Sequence, residues 1–402
     1  MSDPPADRSP DLWLWLIGIG EDGLKGLSQS SRDALSRAEV VFGGPRHLAL
    51  AEITGARGRP WPVPFSVLPV LACRGKRVAV LASGDPFWYG AGCSLVQHLK
   101  AGEWLAFPVP STFSWTAARL GWRLEDVTCL GLHAAPFETL IPHLAPGLRL
   151  ICLVRDGVAA SALAAWLTGR GFGISHLWVM EALGGPAERI RETPAEDFDL
   201  ANLAAPVALA IAVAATPGMP RVPGLPDDAF AHDGQMTKRP VRALTLSALA
   251  PRTGEMLWDI GAGSGSVSVE WCLAGGWAMA IEARPDRARY IRTNAAAFGL
   301  AKRLIVIDGQ APDALAGLPP PNAVFVGGGA DTELLEALWT VMPKGTRFVA
   351  NAVTLETEAL LVALHGQRGG DLMRIELAQA APLGGLRGWA PSRPVVQWSV
   401  FT

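Results

Sequence analysis

Apolar residues in the second half of the chain fall into short runs that alternate with amphipathic stretches. Glu255–Ile260, Trp277–Ile281, Arg303–Ile307, Ala323–Val326 and Arg347–Asn351 have strand length. Interleaved with them, Ser266–Leu273, Arg284–Phe298, Thr332–Val341 and Thr354–His365 place apolar residues at helical spacing. That alternation predicts a parallel sheet covered by helices on both faces. Asp371–Ala380 and Val395–Val400 follow as two more strands with no helical pattern between them. Their connection holds Pro382, Gly384, Gly385, Gly388, Pro391 and Pro394, so the last strand is expected to return antiparallel. The first half reads as a separate set of strands: Leu12–Ile19, the short run Val40–Phe42, Val78–Leu81, Arg149–Val154, Ile174–Glu181 and Pro206–Ala212. A helix, Val158–Thr168, lies between two of them.

The whole is therefore an α/β protein of two modules, about 200 residues each, which suits a 402-residue chain. Thr216–Asp228, with Pro217, Pro220, Pro223 and Pro226, reads as the linker, giving modules over 11–215 and 229–402.

Trp258-Asp259-Ile260-Gly261-Ala262-Gly263-Ser264-Gly265 carries the sharpest chemical signal. A strand with an acid near its end opens into alternating glycines and then a helix, so backbone can approach a ligand closely. Asp259 is placed to accept bonds from ligand hydroxyls or an amine. Glu282 ends the next strand roughly 20 residues on, where an acid grips a ribose. A dinucleotide loop would run Gly-x-Gly-x-x-Gly, with pyrophosphate on the helix N-terminus. Here the third glycine comes one residue early and an acid precedes the loop. Both departures favour S-adenosylmethionine (SAM), which has no phosphate and carries a sulfonium and an ammonium. Asp308-Gly309-Gln310-Ala311 and Gly327-Gly328-Gly329 follow later strands, and so fall on the same rim of the sheet.

Gly18-Ile19-Gly20-Glu21-Asp22-Gly23 in the first half is a literal Gly-x-Gly-x-x-Gly, but no acid closes a second strand at the required distance. Val78–Leu81 breaks into Ser83-Gly84-Asp85-Pro86-Phe87, a turn that presents backbone groups and one carboxylate. Pro110-Ser111-Thr112 follows another short strand.

Together, Gly18-Ile19-Gly20, Ser83 to Gly90 and Pro110-Ser111-Thr112-Phe113-Ser114 resemble the tetrapyrrole (corrin/porphyrin) methylases. The second half resembles the decarboxylating methyltransferases of the cobalamin pathway. The likeness rests on His232-Asp233-Gly234-Gln235-Met236-Thr237-Lys238-Arg239, Trp258–Gly265, Phe325–Gly329 and Ala350–Glu356. The resemblance implies a two-lobed tetrapyrrole-methylase module followed by a seven-stranded Rossmann-like methyltransferase domain. It implies two SAM sites, each yielding S-adenosylhomocysteine. The first would use Gly18, Gly20, Gly84, Asp85, Pro86, Ser111 and Thr112. The second would use Gln235, Thr237, Asp259, Gly261, Gly263, Gly265, Glu282, Asp308, Gly309, Ala311, Gly327 and Gly328.

It further implies methylation of a precorrin at C5 by the first module and at C15 by the second, with decarboxylation of the C12 acetate, taking precorrin-6B to precorrin-8. The partner is a small-molecule tetrapyrrole, with self-assembly through the carboxyl-terminal module as a tetramer and no metal. One alternative is a single active module beside a tetrapyrrole-binding scaffold; another is a NAD-dependent oxidoreductase. Glu21-Asp22-Gly23 stands where other tetrapyrrole methylases often have Gly-Pro-Gly.

Lys238, Arg239 and Arg242, ahead of the second glycine loop on a helix, are candidates to bind substrate carboxylates. His232 and Asp233 are candidates for proton transfer or for ordering the loop; Asp85 either holds SAM or acts on substrate.

Composition narrows the field. Half the residues are hydrophobic, enough for two buried sheets, yet no run reaches the ~20 apolar residues of a membrane span. Ala201–Ala215, the most apolar stretch, is interrupted by Asn202 and Pro206. The polar tail Ser2–Asp11 is not a signal peptide. A net charge of -2 argues against nucleic acid. Five scattered cysteines without ligand spacing point to reduced thiols in a cytoplasmic protein.

Overall fold

A computed structural model describes residues 11–402; all of the tail except Asp11 lies outside them. The chain divides into two compact units, one of 11–135 and 143–217, the other of Pro136–Pro142 and Gly218–Thr402.

The first unit contains two five-stranded sheets. One is built from β1 (Leu14–Ile19), β2 (Val40–Gly43), β3 (Gly58–Pro60), β4 (Val78–Ser83) and β5 (Trp104–Phe107), in the order β3-β2-β4-β1-β5. All its pairings are parallel. Every residue of β1 is buried, as a strand covered on both faces requires. Trp15, Ile17 and Ile19 pack with Ala79 and Leu81 on one face. Leu14 and Leu16 pack with Phe42, Val78 and Val80 on the other. A one-residue slip would exchange the two faces, so these side chains fix the register. The second sheet holds β6 (Val127–Gly131), β7 (Arg149–Leu153), β8 (His176–Glu181), β9 (Arg189–Pro194) and β10 (Val207–Ala212), in the order β6-β7-β10-β8-β9. Only β6 and β7 pair in parallel.

The second unit is a seven-stranded sheet. Its strands are β11 (Met256–Ile260), β12 (Trp277–Glu282), β13 (Leu304–Asp308), β14 (Ala323–Val326), β15 (Arg347–Ala352), β16 (Asp371–Ile375) and β19 (Val395–Phe401). They run in the order β13-β12-β11-β14-β15-β19-β16. The last strand does return antiparallel, paired with both β15 and β16. Leu257, Ala278, Ala280, Phe325 and Val349 face one core layer. Trp258, Ile260, Val324, Val326 and Phe348 face the other.

Two expectations need correction. The single strand foreseen over Asp371–Ala380 breaks after Ile375. Beyond it, β17 (Ala378–Leu383) and β18 (Leu386–Pro391) form their own hairpin, closed by Gly384 at φ 60°. Prolines survive there because a two-stranded ribbon has only edge strands. The proline-bearing segment before the second module is also not free linker throughout. Gly224 N and Leu225 N donate to the Glu270 carboxylate at 2.6 and 3.0 Å, and Leu225 is buried in the core.

Candidate active sites

In the amino-terminal unit, β4, β1 and β5 are neighbours, so the loops leaving their carboxyl ends meet. Backbone bonds tie them together: Gly84 N donates to Ile19 O at 3.2 Å and Val109 N to Gly84 O at 3.1 Å. A Cβ on Gly18 would lie 1.9 Å from Gly84 O. Gly84 has φ 61°, and its Cβ would meet Ser111 Cα at 2.6 Å. No other residue fits at either position. The three motifs thus converge into one cradle, and Ser111 caps the helix Thr112–Leu120 by accepting from Ser114 N. Beside the cradle lies a cavity of about 150 Å³, reached by Gly20, Thr112 and His133 and by Met180 and Val207 of the second sheet. Asp85 Oδ1 accepts from Phe87 N at 2.8 Å and orders the Pro86 turn.

The sequence reading missed two residues here, Arg46 and His47. Past the short run Val40–Phe42, Pro45 begins a short helix, Pro45–Leu50, that sets both side chains against the end of β4. Burial, then the Arg46 guanidinium, pushes His47 down to about 4.

In the carboxyl-terminal unit the sheet order reverses between β11 and β14, the position where open α/β sheets bind ligands. Gly261, Gly263 and Gly265 have φ of 65°, 61° and 72°. A Cβ on Gly261 would stand 3.0 Å from Gly328 O, and one on Gly265 would stand 2.7 Å from Ile291 Cγ2. Glu282 ends β12 and spans the loop. Its Oε2 accepts from Gly263 N at 2.8 Å and its Oε1 from Arg284 N at 2.9 Å. Asp259 is 1% exposed. Ser268 Oγ donates to its Oδ2 at 2.6 Å, while Oδ1 is buried with no hydrogen-bond partner. Burial pushes this carboxyl up to about 6, against the Ser268 bonds that lower it, with Glu282 adding repulsion. Asp308 pairs with Arg292, and Gly309 N donates to Glu282 O at 3.1 Å. Ala311 packs under the second core layer. Gly327 N donates to Ile260 O at 3.2 Å.

The segment 232–239 passes over this loop. Gln235 O lies 3.8 Å from where a Gly263 Cβ would be. His232 Nδ1 accepts from Gly234 N at 2.8 Å, and Asp233 Oδ1 from Gln235 N at 2.9 Å. Asp233 also pairs with Arg287 at 3.0 Å. The Gln235 amide and Arg287 hold the Asp233 carboxyl below its ordinary range, which keeps it ionised. Both side chains order the loop, and Asp233 has no proton to give near neutrality. Lys238 Nζ donates to Gly234 O at 3.2 Å, and Arg239 is exposed. Arg242 departs from the reading as a free cation. It is fully buried, bonded to Glu270 at 2.6 Å, to Asp227 at 3.0 Å and to Thr237 O at 2.6 Å. A cation so enclosed is structural, and removing it would strand the Glu270 charge.

Two glycine cradles on unrelated sheets, the second at the reversal of a Rossmann-like sheet, define a two-module methyltransferase. Residues 13–199 match the family described as Tetrapyrrole (Corrin/Porphyrin) Methylases, and 228–402 match the Precorrin methyltransferase domain. The chain is similar to a Sinorhizobium sp protein named precorrin-6Y C(5,15)-methyltransferase [decarboxylating]. The two are 48% identical over 98% of this chain and 97% of that one. It is also similar to the solved carboxyl-terminal domain of precorrin-6Y C5,15-methyltransferase from Rhodobacter capsulatus. That domain is 60% identical, with a TM-score of 0.45, covering 46% of this chain and all of that one. A Pyrobaculum aerophilum protein named probable cobalt-precorrin-6B C(15)-methyltransferase (decarboxylating) is 35% identical, covering 43% of this chain and 93% of its own length. The chain belongs to the family of decarboxylating precorrin-6Y C5,15-methyltransferases. Membership implies S-adenosylmethionine as methyl donor. Among the described residues no helix is long and apolar enough to cross a membrane.

Asp259 supplies a test of the second cradle. Its carboxyl holds a proton more tightly folded, at about 6, than at its ordinary 3.8. Its contribution to stability is therefore present below pH 4, declines as the pH rises from about 4 through 6, and is level above. Measured against Asp259→Asn by denaturant unfolding, the wild type should lose about 3 kcal/mol of stability across that window. A pH-independent difference between the two proteins contradicts the assignment.

Proposed function

We propose that the two cradles are two separate SAM sites serving one tetrapyrrole. In this reading the amino-terminal module methylates C5. The carboxyl-terminal module methylates C15 and releases carbon dioxide from the C12 acetate, so that precorrin-6B becomes precorrin-8. The observation that carries it is the duplication itself: each module has a backbone cradle that a Cβ would fill. The likeness to a single-module C(15)-methyltransferase (decarboxylating) supports giving C15 and the decarboxylation to the second module.

SAM, when bound, supplies a methyl group on a positive sulfur, ready for in-line displacement. The chain's own residues do the holding. Gly18, Gly20 and Gly84 offer backbone in the first site, with Ser111 and Thr112 at the opening of the following helix. Pro86 and the Asp85 side chain fix the turn behind Gly84. Gly261, Gly263 and Gly265 do the same in the second site, with Gly327 and Gly328 across from them. The buried unpartnered Oδ1 of Asp259 and the carboxylate of Glu282 are the anionic groups there, suited to an ammonium or ribose hydroxyls. Asp308, Gly309 and Ala311 form the adenine-side rim. Gln235 and Thr237 close the pocket from above, while Lys238 and Arg239 offer cations to the substrate's carboxylates. Positioning a carbon nucleophile against the donor methyl is the main catalytic demand on both modules.

Self-association through the carboxyl-terminal module, as a tetramer, completes the reading, together with a cytoplasmic setting in which all five thiols stay free. The hairpin of β17 and β18 supports self-association: Leu383, Leu386 and Trp389 are 70, 80 and 77% exposed on it, on strands with unpaired edges.

Blocking each site in the full chain tests the division of labour. Gly84→Val should remove the C5 methyl from the product and Gly263→Val the C15 methyl, read by mass spectrometry and NMR of the tetrapyrrole. C5 methylation that survives Gly84→Val refutes the assignment. Trp389→Glu with Leu386→Glu should lower the mass measured by light scattering, and an unchanged mass removes the hairpin from the assembly.

A further inference from the structure

The amino-terminal cleft contains a side-chain cluster to which the proposed donor cradle gives no role. Ser83 ends β4, one residue before Gly84, with its side chain exposed to the cavity. Arg46 Nη2 donates to Ser83 Oγ at 2.7 Å, and His47 Nε2 lies 2.8 Å from the same oxygen. Arg46 Nη2 and His47 Nε2 are themselves 3.1 Å apart. Arginine donates only, so the hydroxyl accepts from Arg46; in the His47 tautomer with its hydrogen on Nδ1, the hydroxyl donates its own to Nε2. That arrangement needs a neutral imidazole. The surroundings supply one: the imidazole is largely buried, and the charged groups about it are Arg46 on its own helix and, through Arg46, Glu21. Ser83 faces it from β4, and its Nδ1 is buried without a hydrogen-bond partner. The backbone is built for this placement, since a Cβ on Gly43 would press at 3.3 Å on both His47 Cβ and Leu81 Cβ. A hydroxyl aimed at a neutral imidazole and exposed to a substrate cleft is the arrangement of a proton acceptor.

Methylation at a ring-bridging carbon creates the need for one. The new carbon–carbon bond forms as the donor sulfur leaves with its electron pair. The macrocycle is then cationic and C5 carries both methyl and hydrogen. Breaking that C–H bond returns its electron pair to the ring and restores conjugation, and a proton must go somewhere. We propose that Ser83 and His47 form a proton relay for methylation in the amino-terminal cleft. Ser83 Oγ takes the hydrogen lost from C5 as it passes its own to His47 Nε2, and Arg46 holds the hydroxyl in place. His47 returns its proton to solvent when product leaves. Ser83 is then a catalytic residue, and His47 and Arg46 act through it. The relay rests on the reading that C5 is methylated in this module.

The full chain, substrate deuterated at C5 and single-turnover kinetics test it. Ser83→Ala and His47→Asn should each slow C5 methylation about 100-fold, and the double variant little further. A primary isotope effect should emerge as proton loss becomes limiting. Affinity for S-adenosylhomocysteine should stay within about twofold by calorimetry, and Ser83→Thr, which keeps the hydroxyl, should recover most of the rate. Wild-type rates in both variants overturn the relay, and so does a slow rate without an isotope effect. Gly84→Val separates the two levels. If it abolishes C5 methylation while Ser83→Ala and His47→Asn do not slow it, only the relay falls. If C5 methylation survives it, the module assignment falls as well.

Discussion

Backbone has to come closer to backbone than any side chain allows at the carboxyl ends of these sheets, and the rest of the architecture follows from that contact. In the first unit the contact is Gly18 against Gly84 and Gly84 against Ser111; in the second it is Gly261 against Gly328, with the Ile291 side chain packed where a Gly265 side chain would stand. Such loops are stable only if the strands delivering them are rigid. That explains why β1 is buried along its whole length and why β11 lies between two core layers. A fully buried leucine or isoleucine contributes about 1.5–3 kcal/mol; β1 carries Leu14, Leu16, Ile17 and Ile19, and β11 carries Leu257 and Ile260. The cores hold the strand ends in place, and the strand ends leave glycine-lined space for a ligand.

Charge is distributed in the same two ways. Glu270 and Arg242 form a buried ion pair, joined by the half-buried Asp227, that fixes the start of the second module. Asp259 and Glu282 sit at the glycine loop with backbone or hydroxyl donors, and among the described residues neither is in an ion pair. Asp259 also keeps one oxygen without a partner. A buried carboxylate without a countercharge costs stability unless something positive arrives. An acid placed this way is informative about the ligand where a paired one is not. In the first module the logic is reversed: a guanidinium, not an acid, stands at the strand end, and burial together with that guanidinium keeps its neighbouring histidine neutral.

Much of this was legible in the sequence because period and punctuation agreed. The alternating runs of the second half gave the right strands and their parallel order, and the glycine motifs marked where the loops would meet. What escaped had partners far along the chain or broke a local rule. Arg242 looked like one more surface cation after Lys238 and Arg239, since its partner Glu270 lies 28 residues on. The hairpin of β17 and β18 looked like loop because Pro382 and Gly388 oppose strand propensity, yet they sit on edges where neither costs a ladder bond. Arg46 and His47 followed Gly43-Gly44-Pro45, and nothing local tells that Ser83, 36 residues from His47, will stand beside them.

The account stands or falls on the number of donor pockets in one chain. Calorimetric titration of the intact protein with S-adenosylhomocysteine should give a stoichiometry of two per chain, falling to one in Gly84→Val and to one in Gly263→Val. A stoichiometry of one in the wild type, unchanged by one of those substitutions, would contradict it.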